Sequence, residues 1–235
     1  MDPKSFYESL WRTKTQPSSP HAPRRDRFHS WVLDPIFDPG ANSRHEVVLR
    51  LLPRGKRLLD IGCWNGEFLT RIREAQLFSE MRGVDLIAAS VQAAQQKGFQ
   101  ADVVDLNGEP LPFADGYFDA VTILAVLEHV FDPYAMIAEI HRVLQPRGTL
   151  AIAVPNVGSI TNRVRLVLGR LPITSPDAGW DGGHLHYFTR HAFDRLLTGA
   201  GFEILQRKTS GGRPWLRECW ISLLGGELVY LCRRR

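Results

Sequence analysis

Cysteine is scarce in this chain of 235 residues: Cys63, Cys219 and Cys232 are odd in number and far apart. No pair has the spacing of a metal motif, so the sequence indicates neither a disulfide framework nor a zinc site. Long apolar runs are missing too, and none approaches the roughly 18 residues of a membrane helix. Residues 1–14 hold no apolar stretch of the kind a secretory signal needs. These absences predict a cytoplasmic protein with no transmembrane segment. Charge of one sign is not in large excess. The net charge of +4 is mild, and part of it sits in Arg24, Arg25 and Arg27 and in the closing Arg233, Arg234 and Arg235. Solvated charge on a terminus accounts for it, so a nucleic-acid partner is allowed but not indicated. Internal repeats and low-complexity segments are absent.

What is present is an ordinary globular composition, 44% apolar and 23% charged, in a chain long enough for one sizeable α/β domain. Residues 1–40 stand apart. They carry six of the fifteen prolines, which prevent long regular elements. They also carry aromatics, Trp11 and Trp31 among them, that need something to pack on. The expectation is an N-terminal flap with a short helix near residues 5–12. From residue 41 the pattern becomes regular. A helix capped by Asn42 or Ser43 runs to about Leu52, before Pro53 and Gly55. Strands are expected at 57–62, 81–86, 100–106, 117–127 and 148–155, and helices at 67–76, 88–98 and 132–144. The fourth strand is apolar on both faces, as in a parallel sheet covered by helices. This alternation predicts an α/β doubly wound sheet. The last third breaks the rhythm. A helix outside the sheet is expected within 156–172, a glycine-rich loop at 174–189, a helix capped by Thr189 at 190–202, and closing strands at 203–208 and 227–234. Residues 155–188 read as a cap inserted in a domain spanning 41–235.

The stretch "LLDIGCWNGEF", residues 58–68, raises the question of a ligand. An apolar run ends in Asp60, and Gly62 and Gly66 follow before a helix start. In an open parallel sheet, ligands bind at the carboxyl ends of the strands, where strand order reverses. A dinucleotide needs G-x-G-x-x-G there, because the second glycine admits the pyrophosphate. That position is Trp64, whose indole blocks phosphates. A P-loop is excluded as well, since no Gly-Lys-Ser/Thr follows. A nucleoside-like cofactor without phosphates fits better. Asp60, Asp85 and Asp105 end three successive strands on one sheet edge. Strand-end carboxylates can accept from ribose hydroxyls, an exocyclic amine and an ammonium. A single aspartate at such a place is often only a cap or turn residue; three in succession are harder to explain that way.

With these residues in view, the sequence resembles the class I S-adenosylmethionine-dependent methyltransferases, in the small-molecule branch of the ubiquinone-type and methionine-biosynthesis-W-type enzymes. "LLDIGCWNGEF" is similar to the family's D-x-G-x-G-x-G motif. "GVDL", "DLNGEPLPFADGYFDAV", "LEHVFDP" and "HLHYFTRHAFDRLLTGAGFEI" follow in the family's order, so the resemblance covers about residues 46–202. It implies a Rossmann-like, seven-stranded sheet, mostly parallel with an antiparallel last strand, with helices on both faces. It implies S-adenosyl-L-methionine as cofactor and S-adenosyl-L-homocysteine as product. Asp60, Gly62 and the backbone through Cys63, Trp64 and Gly66 would hold the methionine moiety. Asp85 would bind the ribose hydroxyls, with Leu86 against the adenine. Asp105 would meet the adenine amine, with Leu106 beside it. Leu124 and Ala125 would offer carbonyls near the sulfonium and ammonium. Trp64 stands where the family often has glycine. No phosphate must approach, so its indole is expected to point elsewhere.

A sulfonium methyl is already activated, so the protein mainly aligns a nucleophile and excludes water. An acidic hydroxyl also needs a base, and histidine suits that. His129, just after the fourth strand, is one candidate. His184 and His186 are the others; they alternate across Leu185 and would point the same way in an extended chain, near Asp181. The plainer reading of each is a loop hydrogen bond. In ubiquinone-type relatives an acid three residues before the Glu-His pair helps bind a metal. The matching position here is Ala125, so no metal is expected. "FDPY", residues 131–134, reads as a helix start with Asp132 as cap and Pro133 in the first turn, not as a nucleobase motif. "NRVRLVLGR", residues 162–170, sets Arg163, Arg165 and Arg170 among apolar residues. It reads as an amphipathic cap helix over the site, with contact to a phosphate, an acidic substrate or a membrane surface as the other readings.

The expectation is an S-adenosylmethionine-dependent methyltransferase that acts on a small-molecule acceptor. The acceptor atom would be an oxygen of a sugar, phenol or other secondary metabolite, and the protein a monomer or homodimer. Two alternatives stay open. An RNA, tRNA or protein methyltransferase is favoured slightly by the basic charge, but no RNA-binding module or nucleobase motif accompanies it. A non-catalytic cofactor-binding partner subunit would keep the same fold and pocket.

Overall fold

Apolar side chains alternate between the two faces of the central strands, and both faces are covered. Leu59 and Ile61 pack on one face with Val121 and Ile123, while Leu58 and Ala120 pack on the other. This is the period of two that a pleated strand imposes. The computed structural model describes residues 42–175 and 183–235, together with Ser5 and Glu8. The expected flap, with its helix across 5–12 apart from those two residues, and Asp181 lie outside the described residues.

In chain order the elements are α1 (Arg44–Leu51), β1 (Gly55–Ile61), α2 (Glu67–Glu74), β2 (Phe78–Asp85), α3 (Ala88–Gln96), β3 (Gln100–Val103) and β4 (Phe118–Leu124). A single 3-10 turn (Leu127–His129), α4 (Pro133–Val143), β5 (Leu144–Pro155), α5 (Ile160–Val167) and α6 (Arg190–Gly199) follow. The chain closes with β6 (Phe202–Lys208), α7 (Pro214–Cys219), α8 (Ile221–Leu224) and β7 (Glu227–Arg234). The seven strands form one sheet in the order β3-β2-β1-β4-β5-β7-β6. β7 runs antiparallel to both of its neighbours, and the other four pairings are parallel. The Rossmann-like, doubly wound α/β sheet is therefore the one the sequence implies. The chain winds outward from β1 to β3, then crosses back to β4, so the strand order reverses between β1 and β4.

The helices form where the sequence signals them. Ser43 caps α1, accepting from the Glu46 amide at 3.3 Å. Asp132 accepts from the Tyr134 and Ala135 amides at 2.9 and 3.0 Å, with Pro133 at the first helical position of α4. Met136, Ile137, Ile140 and Val143 then lie on the buried side of α4, each worth about 1.5–3 kcal/mol on leaving water. α4 and α6 cover one face of the sheet; α1, α2 and α3 cover the other.

Several elements depart from expectation. β3 stops at Val103, so Asp105 sits in the following loop, where its carbonyl accepts from the Glu109 amide at 3.0 Å. β4 ends at Leu124 because Ala125 turns into the left-handed region at φ 57°. β5 starts at Leu144, directly after α4, four residues earlier than read. α7 and α8 were not expected; Pro214 opens α7 after Arg213 takes a left-handed conformation at φ 52°. α5 occupies part of 156–172, yet its apolar residues do not pack down as an amphipathic cap should. Val164, Leu166 and Val167 are exposed and Asn162 is its buried residue.

Candidate active site

A cavity of about 540 Å³ opens at the carboxyl ends of β1, β2, β4 and β5 and over the loop after β3, at the point where strand order reverses. Its size is that of a typical small-molecule site. Gly62 forms its floor after β1. The turn needs glycine for two reasons. Its φ is +73°, and a Cβ would stand 2.2 Å from Val126 Cγ2. The Gly62 and Cys63 amides both donate to the Val84 carbonyl, at 2.8 and 3.1 Å, which ties the turn to β2. Gly66, also at φ +73°, then opens α2.

The three acids occupy different places. Asp60 is buried below the cavity wall, where the Thr122 hydroxyl donates to its Oδ1 at 2.6 Å. Burial pushes its carboxyl up to about 7, against that hydrogen bond. Asp85 lines the cavity. Its oxygens accept the Trp64 amide at 2.8 Å and the Ile87 amide at 2.9 Å. Burial raises its pKa, and these backbone donors work in the opposite direction. Asp105 also lines the cavity, and its Oδ1 accepts from the Asn107 amide at 3.0 Å. Leu86, Leu106, Leu124 and Ala125 lie in the wall beside these acids. Trp64 contributes its backbone amide to Asp85. It is among the cavity-lining residues, at φ 50°. Two of the five described non-glycine residues with positive φ, Trp64 and Ala125, thus stand at this cavity, where backbone strain tends to collect. Cys63 and Gly66 support the turn from outside the lining.

Beyond Ala125 the wall changes character. Glu128 is fully buried in the 3-10 turn, and neither carboxylate oxygen has a hydrogen-bond partner among the described residues. Burial raises its pKa to about 8. His129 and His184 stand beside it with ring centroids 4.7 Å apart. His129 Nδ1 lies 3.2 Å from the Gly183 carbonyl, and His184 Nδ1 lies 2.7 Å from the Thr174 hydroxyl. The segment that carries His184 is fastened here by its backbone. The Leu185 and His186 amides donate to the Glu128 carbonyl at 2.8 and 3.1 Å. His186 itself is not in the lining; its Nε2 lies 3.2 Å from the Phe131 carbonyl. The structure brings His129 and His184 into the cavity and leaves His186 at its outer edge.

Sequence reasoning missed Glu128, Thr174, Asn107, Arg44 and His45, all of which line the cavity. Glu128 was legible in principle: an acid next to His129 directly after an all-apolar strand has few ways to reach solvent. Arg44 pairs with Glu227 at 2.6 Å. His45 stacks on Phe68 at 4.9 Å, and burial holds its imidazole down at about 4, hence neutral.

A methyltransferase-domain model matches residues 40–207. The chain belongs to that family. S-adenosylmethionine is the cofactor of the family and of this chain with it. Among similar curated proteins is a 27-O-demethylrifamycin SV methyltransferase of Amycolatopsis mediterranei, 36% identical over 131 residues, 49% of this chain and 48% of that protein. A ubiquinone biosynthesis O-methyltransferase of Xanthomonas axonopodis is 37% identical over 119 residues, 47% of each chain. The chain thus spans about half the length of these relatives. An S-adenosylmethionine-dependent methyltransferase from Mesorhizobium loti shares the fold with a TM-score of 0.60 at 19% identity, covering 82% of this chain and 98% of that one. The residues fit the cofactor. Gly62 leaves a gap that any Cβ would fill, and Asp85 and Asp105 offer carboxylate oxygens to hydroxyl and amine donors along the same wall.

Proposed function

We propose that this chain moves the methyl group of S-adenosylmethionine to an oxygen of a small molecule, a sugar, phenol or other secondary metabolite. The observation that carries the reading is the division of one cavity. Asp85 and Asp105 line one part, and Glu128, His129 and His184 line another, with Leu124 and Ala125 between them. The names of the relatives, two of which specify an oxygen acceptor, point the same way.

The bound cofactor supplies a sulfonium methyl. In the transfer the oxygen–carbon bond forms as the sulfur–carbon bond breaks, and the sulfur leaves as the thioether of S-adenosylhomocysteine. The acceptor hydroxyl must give up its proton, and the imidazole of His129 or His184, at the same end of the cavity, would take it. Asp85, held by two backbone amides, would fix the ribose, and Asp105 would meet the adenine amine. The Leu124–Ala125 backbone would hold the sulfonium end of the cofactor. The Leu185 and His186 amides donate to the Glu128 carbonyl, so this short stretch covers the acceptor end and helps to exclude water. The gain comes from holding the two reactants in line.

Calorimetric titration with S-adenosylmethionine and S-adenosylhomocysteine tests the cofactor half. Asp85→Ala is expected to weaken binding tenfold or more, about 1.4 kcal/mol. Absence of binding to either compound in the parent protein would falsify the reading. Mass shifts of 14 Da in panels of phenols and glycosides, about one methyl for one hydrogen, then identify the acceptor class.

A further inference from the structure

We propose that Asn107 is a positioning residue whose side chain joins the adenine end of the cavity to the stretch that covers the acceptor end, so that cofactor binding tightens the cover. This deepens the methyltransferase reading and rests on it for the identity of the ligand. Asn107 lines the cavity two residues after Asp105. Its amide donates to Asp105 Oδ1 at 3.0 Å, and its own Oδ1 accepts the Phe131 amide at 2.7 Å. The Phe131 carbonyl lies 3.2 Å from His186 Nε2. A carbonyl only accepts, so Nε2 carries the hydrogen and donates. The His186 and Leu185 amides then donate to the Glu128 carbonyl at 3.1 and 2.8 Å. An acid at one end of the cavity is thus tied to the backbone across the other end, through bonds that span 24 and 55 positions in the sequence.

The surroundings let this tie transmit a change. The far part of the loop after β3 is fastened to α4. Glu139 Oε2 accepts the Leu111 amide at 3.1 Å, and Arg142 donates to the Leu111 and Phe113 carbonyls at 3.0 and 2.7 Å. The near part holds Asp105 and Leu106, and its link toward Phe131 is Asn107. On the covering side, Phe188 is buried in the core and its carbonyl accepts the Val157 amide at 3.0 Å, a fixed end. Ahead of it Leu185 and Tyr187 are exposed, so polar contacts carry much of the attachment. A stretch held in this way opens locally at a fraction of the cost of global unfolding.

The docked and open states of Leu185 and His186 are the two states that a ligand on Asp105 biases. An adenine amine on that carboxylate orders the loop and fixes Asn107 Oδ1. The Phe131 carbonyl is then held in place for His186, and docking costs less entropy. By linkage the effect is reciprocal, so an acceptor that stabilises the docked stretch raises cofactor affinity. Water is then shut out of the acceptor end once the sulfonium is in place.

Amide-resolved hydrogen exchange at Leu185 and His186 tests this, because those two amides make the docking bonds. Saturating S-adenosylhomocysteine should slow their exchange about tenfold in the parent protein, within the range of coupled sites. Asn107→Ala removes the acceptor and His186→Leu removes the donor, on opposite sides of Phe131. In each, saturating ligand should change the exchange less than about twofold; if one variant fails to fold, the other decides. Asn107→Asp keeps a side-chain oxygen and should restore most of the ligand effect, which a general loss of stability would not do. Exchange that the ligand leaves unchanged in the parent, or slows equally in both disrupting variants, overturns the coupling. Calorimetry separates the two failures: binding without slowing overturns the coupling alone, whereas no binding by the parent overturns the methyltransferase reading and the coupling with it.

Discussion

The Thr122 hydroxyl, on β4, donates to Asp60 Oδ1, on β1, at 2.6 Å with both residues buried. The pair joins the two strands between which the sheet order reverses, two residues below the Gly62 turn. Thr122→Val keeps the shape and removes the donor. An unsatisfied buried acceptor costs about 1–3 kcal/mol. We expect Thr122→Val to lower the urea midpoint accordingly. S-adenosylhomocysteine affinity should fall by a smaller factor than in Asp85→Ala, because Asp60 supports the cavity wall without lining it.

The same carboxyl gives a pH dependence. Burial raises Asp60 from 3.8 to about 7 in the folded chain. Between those values the folded state holds a proton that the unfolded state has released. The resulting stability is fully present below about pH 4 and is lost as pH rises through about 7. His45 is shifted the other way, so its contribution grows with pH up to 6.5 and opposes Asp60 in the acid range. Comparison of wild type with Asp60→Asn in the ligand-free state removes that term. From pH 5 to pH 8, wild type should lose on the order of 1–3 kcal/mol more than the variant. Parallel curves would show that Asp60 is ionised throughout.

Much of the fold was legible because its signals are local. Ser43, Asp132 with Pro133, and Thr189 are cap residues, and each caps the helix it precedes. The apolar run in β4 gave a buried parallel strand by itself. What escaped depends on contacts distant in sequence. α7 opens on a left-handed Arg213, a conformation that no pattern in "SGGRPWL" specifies. The tie between Glu128 and residues 183–186 joins positions more than fifty apart, so the buried acid and His184 could not be placed together from spacing.

Gly62 is the tightest point of the site. A methyl group there would meet Val126 Cγ2 at 2.2 Å, on a backbone at φ +73°. Gly62→Ala therefore has two penalties, steric and conformational, each on the order of 1 kcal/mol or more. We expect it to abolish measurable S-adenosylhomocysteine binding and to lower the melting temperature. Adding Val126→Ala removes the clash and leaves the φ strain. The double variant should recover part of the stability; no recovery would mean that the backbone conformation alone decides the glycine.

Ala125 offers the converse experiment. It holds φ 57° at the end of β4, and its amide donates to the Ala153 carbonyl at 2.9 Å, so the turn is fixed by β5. A non-glycine residue in this region carries strain of about 1 kcal/mol. Ala125→Gly relieves it in the folded state and adds freedom to the unfolded chain, so its melting temperature should stay within a few degrees of wild type. Ala125→Val puts a β-branched side chain where it is least tolerated and beside Leu124 in the cavity wall. It should cost about 2 kcal/mol or more and weaken S-adenosylhomocysteine binding at least tenfold. If instead valine is accepted with full affinity, the left-handed turn is not what positions the cofactor end of the cavity.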